Sequence, residues 1–214
     1  MSQNVPASIA PTIKVANPGP LGLFGFGLTT LLLSSINAGL LPPESIAAVV
    51  PLAFAYGGLA QLIAGIMEFR LGNTFGGVAF VSYGMFWWWF SLLLWTLGAG
   101  WLKAPAASGM ATALLLWGIF TFVLWIVTFR LNKILWSIFL LLTLTFFCLA
   151  AKDYGFGAIY GKLGGYLGLL TGIDAVALAG IELLNAVAGY TVIPVGSPII
   201  MNPALTGRIG VAVV

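Results

Sequence analysis

The sequence predicts an all-α, polytopic membrane protein with six transmembrane helices, and three observations predict it. Of 214 residues, 61% are hydrophobic and only 6% charged, and mean hydropathy is +1.10. A soluble domain carries about 25% charged residues, so this chain has too few ionic groups to cover a surface facing water. The apolar residues fall into six long runs, and most of the few charges fall in the breaks between them, together with Pro42, Pro43 and Pro105. At about 20 residues per span, a chain of this length has room for roughly six or seven helices. Helices are the expected form, because unpaired backbone groups in hydrocarbon each cost several kcal/mol and the alternating ten-residue segments of a barrel are absent from the sequence.

Residues 1–19 are polar and proline-containing, without the basic stretch and short apolar core of a signal peptide, so this segment is expected to be retained. The spans then run Leu21–Leu41, Ile46–Met67, Phe75–Trp101, Ala106–Phe129, Ile134–Ala151 and Leu163–Ala188. Pro42-Pro43-Glu44 ends the first and Glu68-Phe69-Arg70 the second. Lys103-Ala104-Pro105 separates the third from the fourth, Arg130–Lys133 the fourth from the fifth, and Lys152–Lys162 the fifth from the sixth. One transmembrane domain, residues 20–190, is thus expected between an N-terminal segment, 1–19, and a loop-like tail, 191–214. Six spans put both termini on one face, with Lys14, Arg70, Arg130, Lys133 and Arg208 against Lys103, Lys152 and Lys162 on the other. The positive-inside rule then favours cytoplasmic termini.

Composition excludes several functions. With no histidine and one cysteine, Cys148, the chain has no ligand set for haem, copper, zinc or iron–sulfur clusters; no cofactor or metal is expected. Its net charge of +3 is spread between the spans, so nucleic-acid binding is not indicated. A retinal Schiff base needs a lysine deep in a span, and Lys152 and Lys162 lie at span ends. An enzyme is not expected either, since no nucleophile–base pairing is evident and Asp174 and Glu182 share one helix.

The informative residues inside the spans are therefore the small and polar ones. Phe26, Thr30, Ser34 and Asn37 form one stripe on the first span; Gly57, Gln61, Gly65 and Glu68 form another on the second. Each stripe reads by itself as interhelical packing, and the two together as a shared polar lining. Gly164, Gly168 and Gly172 are read as a packing ridge. Asp174 and Glu182 must face protein or water, given a cost of about 2.5–3.5 kcal/mol for a charge at mid-bilayer. Proton coupling or gating is the functional reading, favoured only at Glu182; a hydrogen bond to a neighbouring helix is the alternative. Glu68 beside Arg70 reads as an interfacial ion pair. The mid-span run Phe86-Trp87-Trp88-Trp89-Phe90 is not an interfacial belt and reads as bulky packing, some rings facing lipid or another subunit.

The stretch Asn17-Pro18-Gly19-Pro20-Leu21-Gly22-Leu23, followed by Phe24-Gly25-Phe26-Gly27-Leu28-Thr29-Thr30, resembles the opening signature of the acetate transporter family, the YaaH-type succinate-acetate permeases, with Gly19 in place of the usual alanine. Further matches follow in order at Tyr56-Gly57-Gly58 with Gln61, Glu68, Gly72–Gly76, Ser82-Tyr83-Gly84 with Phe86-Trp87, Glu182–Asn185 and Ile193–Gly196. The resemblance implies a six-helix protomer in a ring-shaped homohexamer of the inner membrane. Each protomer would pass acetate and related short monocarboxylates, with succinate in some members, through a constriction falling on Phe26, Tyr83 and Leu142. Asn17, Thr30, Asn37, Gln61, Asn73, Ser82 and Thr143 are the residues available to replace lost hydration of a carboxylate. Asp174 falls where the family is usually small or uncharged. Two alternatives stand beside this reading: a channel for a neutral solute such as urea or an amide, and a non-transporting membrane scaffold.

Overall fold

The computed structural model describes residues 15–200, so Lys14, Arg208 and the end of the tail lie outside the described residues. The described chain is all helix and loop: α1 (Gly19–Asn37), a 3₁₀ turn (Pro43–Ser45), α2 (Ile46–Leu52), a π-helical stretch (Ala53–Ala60), α3 (Gln61–Arg70), α4 (Thr74–Gly98), α5 (Ala107–Thr128), α6 (Lys133–Asp153) and α7 (Ala158–Ala188). The 3₁₀ turn, α2, the π stretch and α3 run on as one apolar unit, giving six segments long and apolar enough to cross a membrane. Successive crossings place the start of α1 and the end of α7 on one face, termed the terminal face; Asn37, Asp153 and Ala158 lie on the opposite face.

The boundaries follow local chemistry. Pro20 sits in the first turn of α1, where its missing N–H is not needed. Asn73 and Asn132 cap α4 and α6, their carbonyl oxygens accepting from Gly76 N at 3.1 Å and Leu135 N at 2.9 Å. Gly189, in the left-handed conformation at φ 79°, ends α7. That helix starts at Ala158, five residues earlier than the apolar run suggests, and spans about 46 Å at 1.5 Å per residue, more than the ~30 Å hydrocarbon thickness. Tyr160 and Lys162, both exposed, lie in the first turns of a helix with length to spare, so the Lys162 charge need not be buried.

The π-helical stretch has no counterpart in the hydropathy pattern. Pro51 cannot donate to the helical ladder, and two residues later the helix widens. Two α4 side chains meet carbonyls there: Ser91 Oγ donates to Val50 O at 2.7 Å and Trp88 Nε1 to Phe54 O at 2.9 Å. Gly58 leaves the space that Trp88 fills, since a Cβ there would fall 2.0 Å from Trp88 Cδ1.

Helix pairs α1/α7, α5/α6, α6/α7 and α3/α4 pack side by side. Of the predicted ridge, Gly168 and Gly172 face α1, where a Cβ would lie 2.2 Å from Ser34 Oγ and 2.6 Å from Leu31 Cγ; Gly164 instead faces α6, 2.9 Å from Leu149 Cδ2, and Gly165 takes its place against α1, 2.2 Å from Ala38 N. Asp174 accepts a 2.7 Å hydrogen bond from Ser137 Oγ on α6, the interhelical arrangement weighed as its alternative. In the aromatic run, Phe86 and Trp87 point into the core, where Phe86 meets Trp117 and Phe146 edge-on at 5.1 and 5.4 Å.

Candidate functional site: two cavities meeting at three side chains

The packed helices enclose two cavities, one toward each face. Cavity 1, about 250 Å³, lies toward the terminal face and is bordered by Asn17, Gln61, Glu68, Asn73 and Glu182 together with apolar side chains such as Leu23, Ala79 and Phe139. Cavity 2, about 280 Å³, lies toward the opposite face and is bordered by Thr30, Ser34 and Asn37, by Phe86, Trp87 and Phe146, and at its mouth by Lys152 and Asp153. The residues that border both are Phe26, Tyr83 and Leu142. They come from α1, α4 and α6, and are 6%, 3% and 4% exposed.

Tyr83 is the most constrained of the three. Its ring lies 5.7 Å from Phe26, 5.7 Å from Phe120, 6.0 Å from Trp117 and 6.1 Å from Phe139. Thr121 Oγ1 donates to Trp117 O at 2.7 Å, so in the 2.9 Å contact between Thr121 and Tyr83 the phenol is the donor. The hydroxyl is thereby committed to α5, and Tyr83 offers the passage its ring. Nothing in the sequence singles out Thr121, because one threonine among the apolar residues of α5 looks like any other; only the packing of α4 against it gives it this role.

The two polar stripes of the first and second spans do not share one lining. Phe26, Thr30, Ser34 and Asn37 all border cavity 2, whereas Gln61 and Glu68 border cavity 1. Gly57 and Gly65, from the second stripe, serve packing: a Cβ would fall 2.9 Å from Trp87 Cγ at the first and 2.6 Å from Val81 N at the second. Ser82 and Thr143 border neither cavity; Ser82 is half-buried beside Tyr83, and Thr143 Oγ1 donates back to Phe139 O at 2.7 Å. A residue next in sequence to a lining residue points about 100° away around the helix, which carries both off the passage. Three lining groups are left without protein partners: Gln61 Oε1 at cavity 1, and Thr30 Oγ1 and Trp87 Nε1 at cavity 2, are buried and unbonded.

Glu68 corrects the expectation of an ion pair with Arg70. The Glu68 carboxyl is buried and accepts a 2.7 Å hydrogen bond from Asn73 Nδ2, while Arg70 is exposed. Residues two apart on a helix point about 200° apart, so one faces the cavity and the other the outside. The salt bridge among the described residues is instead Lys152–Asp153, 3.0 Å, at the mouth of cavity 2. Opposed charges leave that mouth nearly neutral.

Beyond α7 the chain folds back along the terminal face. Asn185 Oδ1 accepts from Val192 N at 2.7 Å and Ile193 N at 3.1 Å, and its Nδ2 donates to Ile193 O at 2.9 Å. Val195 packs on the core, a Cβ on Gly196 would lie 3.2 Å from Lys133 Cβ, and Ile200 N donates to Phe129 O at 2.8 Å. The Ile193–Gly196 stretch thus ties α7 to the start of α6.

Known proteins share this architecture. The sequence profile described as the GPR1/FUN34/yaaH family matches residues 2–198. An uncharacterized protein of Methanothermobacter thermautotrophicus is 43% identical over 188 residues, covering 85% of this chain and 91% of that protein. The succinate-acetate/proton symporter SatP of Escherichia coli K12 is 40% identical over 183 residues, covering 86% of this chain and 96% of its own. The solved structure of the bacterial acetate channel SatP superposes with a TM-score of 0.81 at 40% identity, over 86% of this chain and all (100%) of that one. Matched by the family profile over residues 2–198 and 40% identical to a relative covered over 96% of its length, the chain belongs to the GPR1/FUN34/yaaH family.

Proposed function

We propose that this protein is a membrane channel or transporter for acetate and related short carboxylates, succinate among them, and not an enzyme. The observation that carries the reading is the pair of cavities opening toward opposite faces, with Phe26, Tyr83 and Leu142 common to both, in a chain 40% identical to an acetate channel. The substrate enters one cavity, crosses between the three side chains and leaves by the other. An aromatic and aliphatic ring of this kind holds water out of the passage and gates by dewetting, while the methyl group of acetate tolerates the apolar contact. Thr30, Asn37 and Ser34 on one side, and Asn17, Gln61 and Asn73 on the other, replace part of the hydration the carboxylate loses. The helix N-termini of α1 and α4 open toward cavity 1 and add a favourable field for an anion.

The protomers assemble as a ring-shaped homohexamer in the inner membrane with cytoplasmic termini, each protomer keeping its own passage. A neutral-solute channel is the competing reading, favoured by the lack of any Lys or Arg bordering cavity 1 among the described residues. Voltage clamp of the reconstituted protein separates the two. Acetate-carried current that scales with the acetate gradient supports the proposal; urea permeation with no acetate current or flux replaces it.

A further inference from the structure

The acidic end of cavity 1 holds more than a lining. Glu68, on α3, and Glu182, on α7, come from helices distant in sequence, yet a Cβ placed on Gly19 would lie 2.7 Å from Glu182 Oε2 and 3.5 Å from Glu68 Oε1. The two carboxyls therefore occupy one small volume at the start of α1. Glu68 is buried and Glu182 half-buried, and both border the cavity. Gln61, 1% exposed, borders the same cavity, and its Oε1 lacks any hydrogen-bond partner. That orphan acceptor leaves a place in this cavity for a proton donor, which a protonated carboxyl is and a carboxylate is not.

The charged and titratable groups of the surrounding elements do not neutralise the pair. On α3, Arg70 is exposed and points away; on α6, Lys133 is exposed with its stem under Gly196; Arg130 and Tyr190 are exposed on the terminal face. Tyr83 on α4 borders the far end of the cavity with its hydroxyl committed to Thr121, and Asp174 on α7 is bonded to Ser137. Lys14 lies outside the described residues. The Asn73 amide and the N-termini of α1 and α4 favour ionised carboxylates here, while burial and mutual repulsion oppose two charges at once. Two carboxyls this close under such opposed influences are placed to share one proton.

We propose that Glu68 and Glu182 form a proton-sharing pair at the mouth of cavity 1, and that a carboxylate crosses readily only while the pair holds a proton. With both groups ionised, two negative charges flank the passage and repel the substrate. With one proton between them, the helix N-termini and amides present a net attraction. This deepens the transport reading and rests on it.

The test uses the full chain in proteoliposomes, with labelled acetate influx measured over a range of pH for the wild type and for E68Q, E182Q and the E68Q/E182Q double variant. Comparing variant with wild type at each pH removes the titration of acetate itself. Glutamine keeps the shape of a protonated carboxyl, so the ratio of variant to wild-type influx is expected to rise with pH by at least about tenfold, the scale set by juxtaposed like charges. A ratio that stays flat with pH in all three variants overturns the proposal. Infrared difference spectra give a second readout that needs no transport: a carboxylic-acid carbonyl band titrates in the wild type and is missing from the double variant, whereas the same titrating band in both overturns it. A wild type without influx above empty vesicles removes the transport reading, and the infrared result still decides the pair.

Discussion

At the scale of single residues, the passage depends on three side chains and on what holds them. Phe26, Tyr83 and Leu142 are each buried, yet each faces open volume on two sides. Truncating one removes apolar bulk from a narrow place and leaves the helices in contact elsewhere. Phe26→Ala and Tyr83→Ala are therefore expected to raise acetate flux about tenfold, which takes 1.4 kcal/mol off the barrier, and to admit bulkier carboxylates. Flux and substrate range equal to wild type in both variants remove the constriction assignment. Thr121→Val tests the support of Tyr83 from behind. It leaves a buried phenol without its acceptor at a cost of about 1–3 kcal/mol, and Thr121→Ser restores it. Thermal unfolding in detergent reads both.

At the scale of elements, two devices set the helix positions. The α7 glycines let α1 approach closely, so a Cβ at Gly165 collides with the Ala38 backbone, which has no flexible end to yield. Gly165→Leu is expected to prevent a monodisperse protein from forming, while Gly180→Leu, where nothing lies within 4 Å of the added Cβ, is tolerated; size-exclusion chromatography separates the two outcomes. The second device is the α4 contact with the widened helix. Trp88→Phe keeps most of the ring and leaves Phe54 O without its side-chain donor, so a loss of about 1–3 kcal/mol in stability is expected. A stability unchanged within experimental error would show that the carbonyl finds another donor.

The same elements mark what could be read in advance. The six spans were legible because apolar length is a strong signal, and the stripe Phe26, Thr30, Ser34, Asn37 because helical spacing predicts one face. The π stretch was not, since Pro51 leaves the hydropathy unchanged while altering the hydrogen-bond ladder. Nor was the setting of Glu68: proximity in sequence suggested Arg70, and helix geometry directs the two apart. Asp174 looked ambiguous until the partner across the α6/α7 contact, Ser137, was in view. Tertiary neighbours decide such residues, and one sequence does not contain them in readable form.

At the scale of the whole molecule, apolar side chains cover the outside, among them Trp95, Leu116, Val123 and Val187. A bilayer covers such a surface, and a ring of copies would cover part of it. Native mass spectrometry from detergent is expected to give six protomers; a monodisperse monomer at every protein concentration contradicts the ring. Whether each protomer carries acetate through its own two cavities is decided by labelled acetate influx into proteoliposomes: influx well above that of empty vesicles, and altered by Tyr83→Ala in a protein still assembled, is expected, and influx no greater than in empty vesicles rules such transport out.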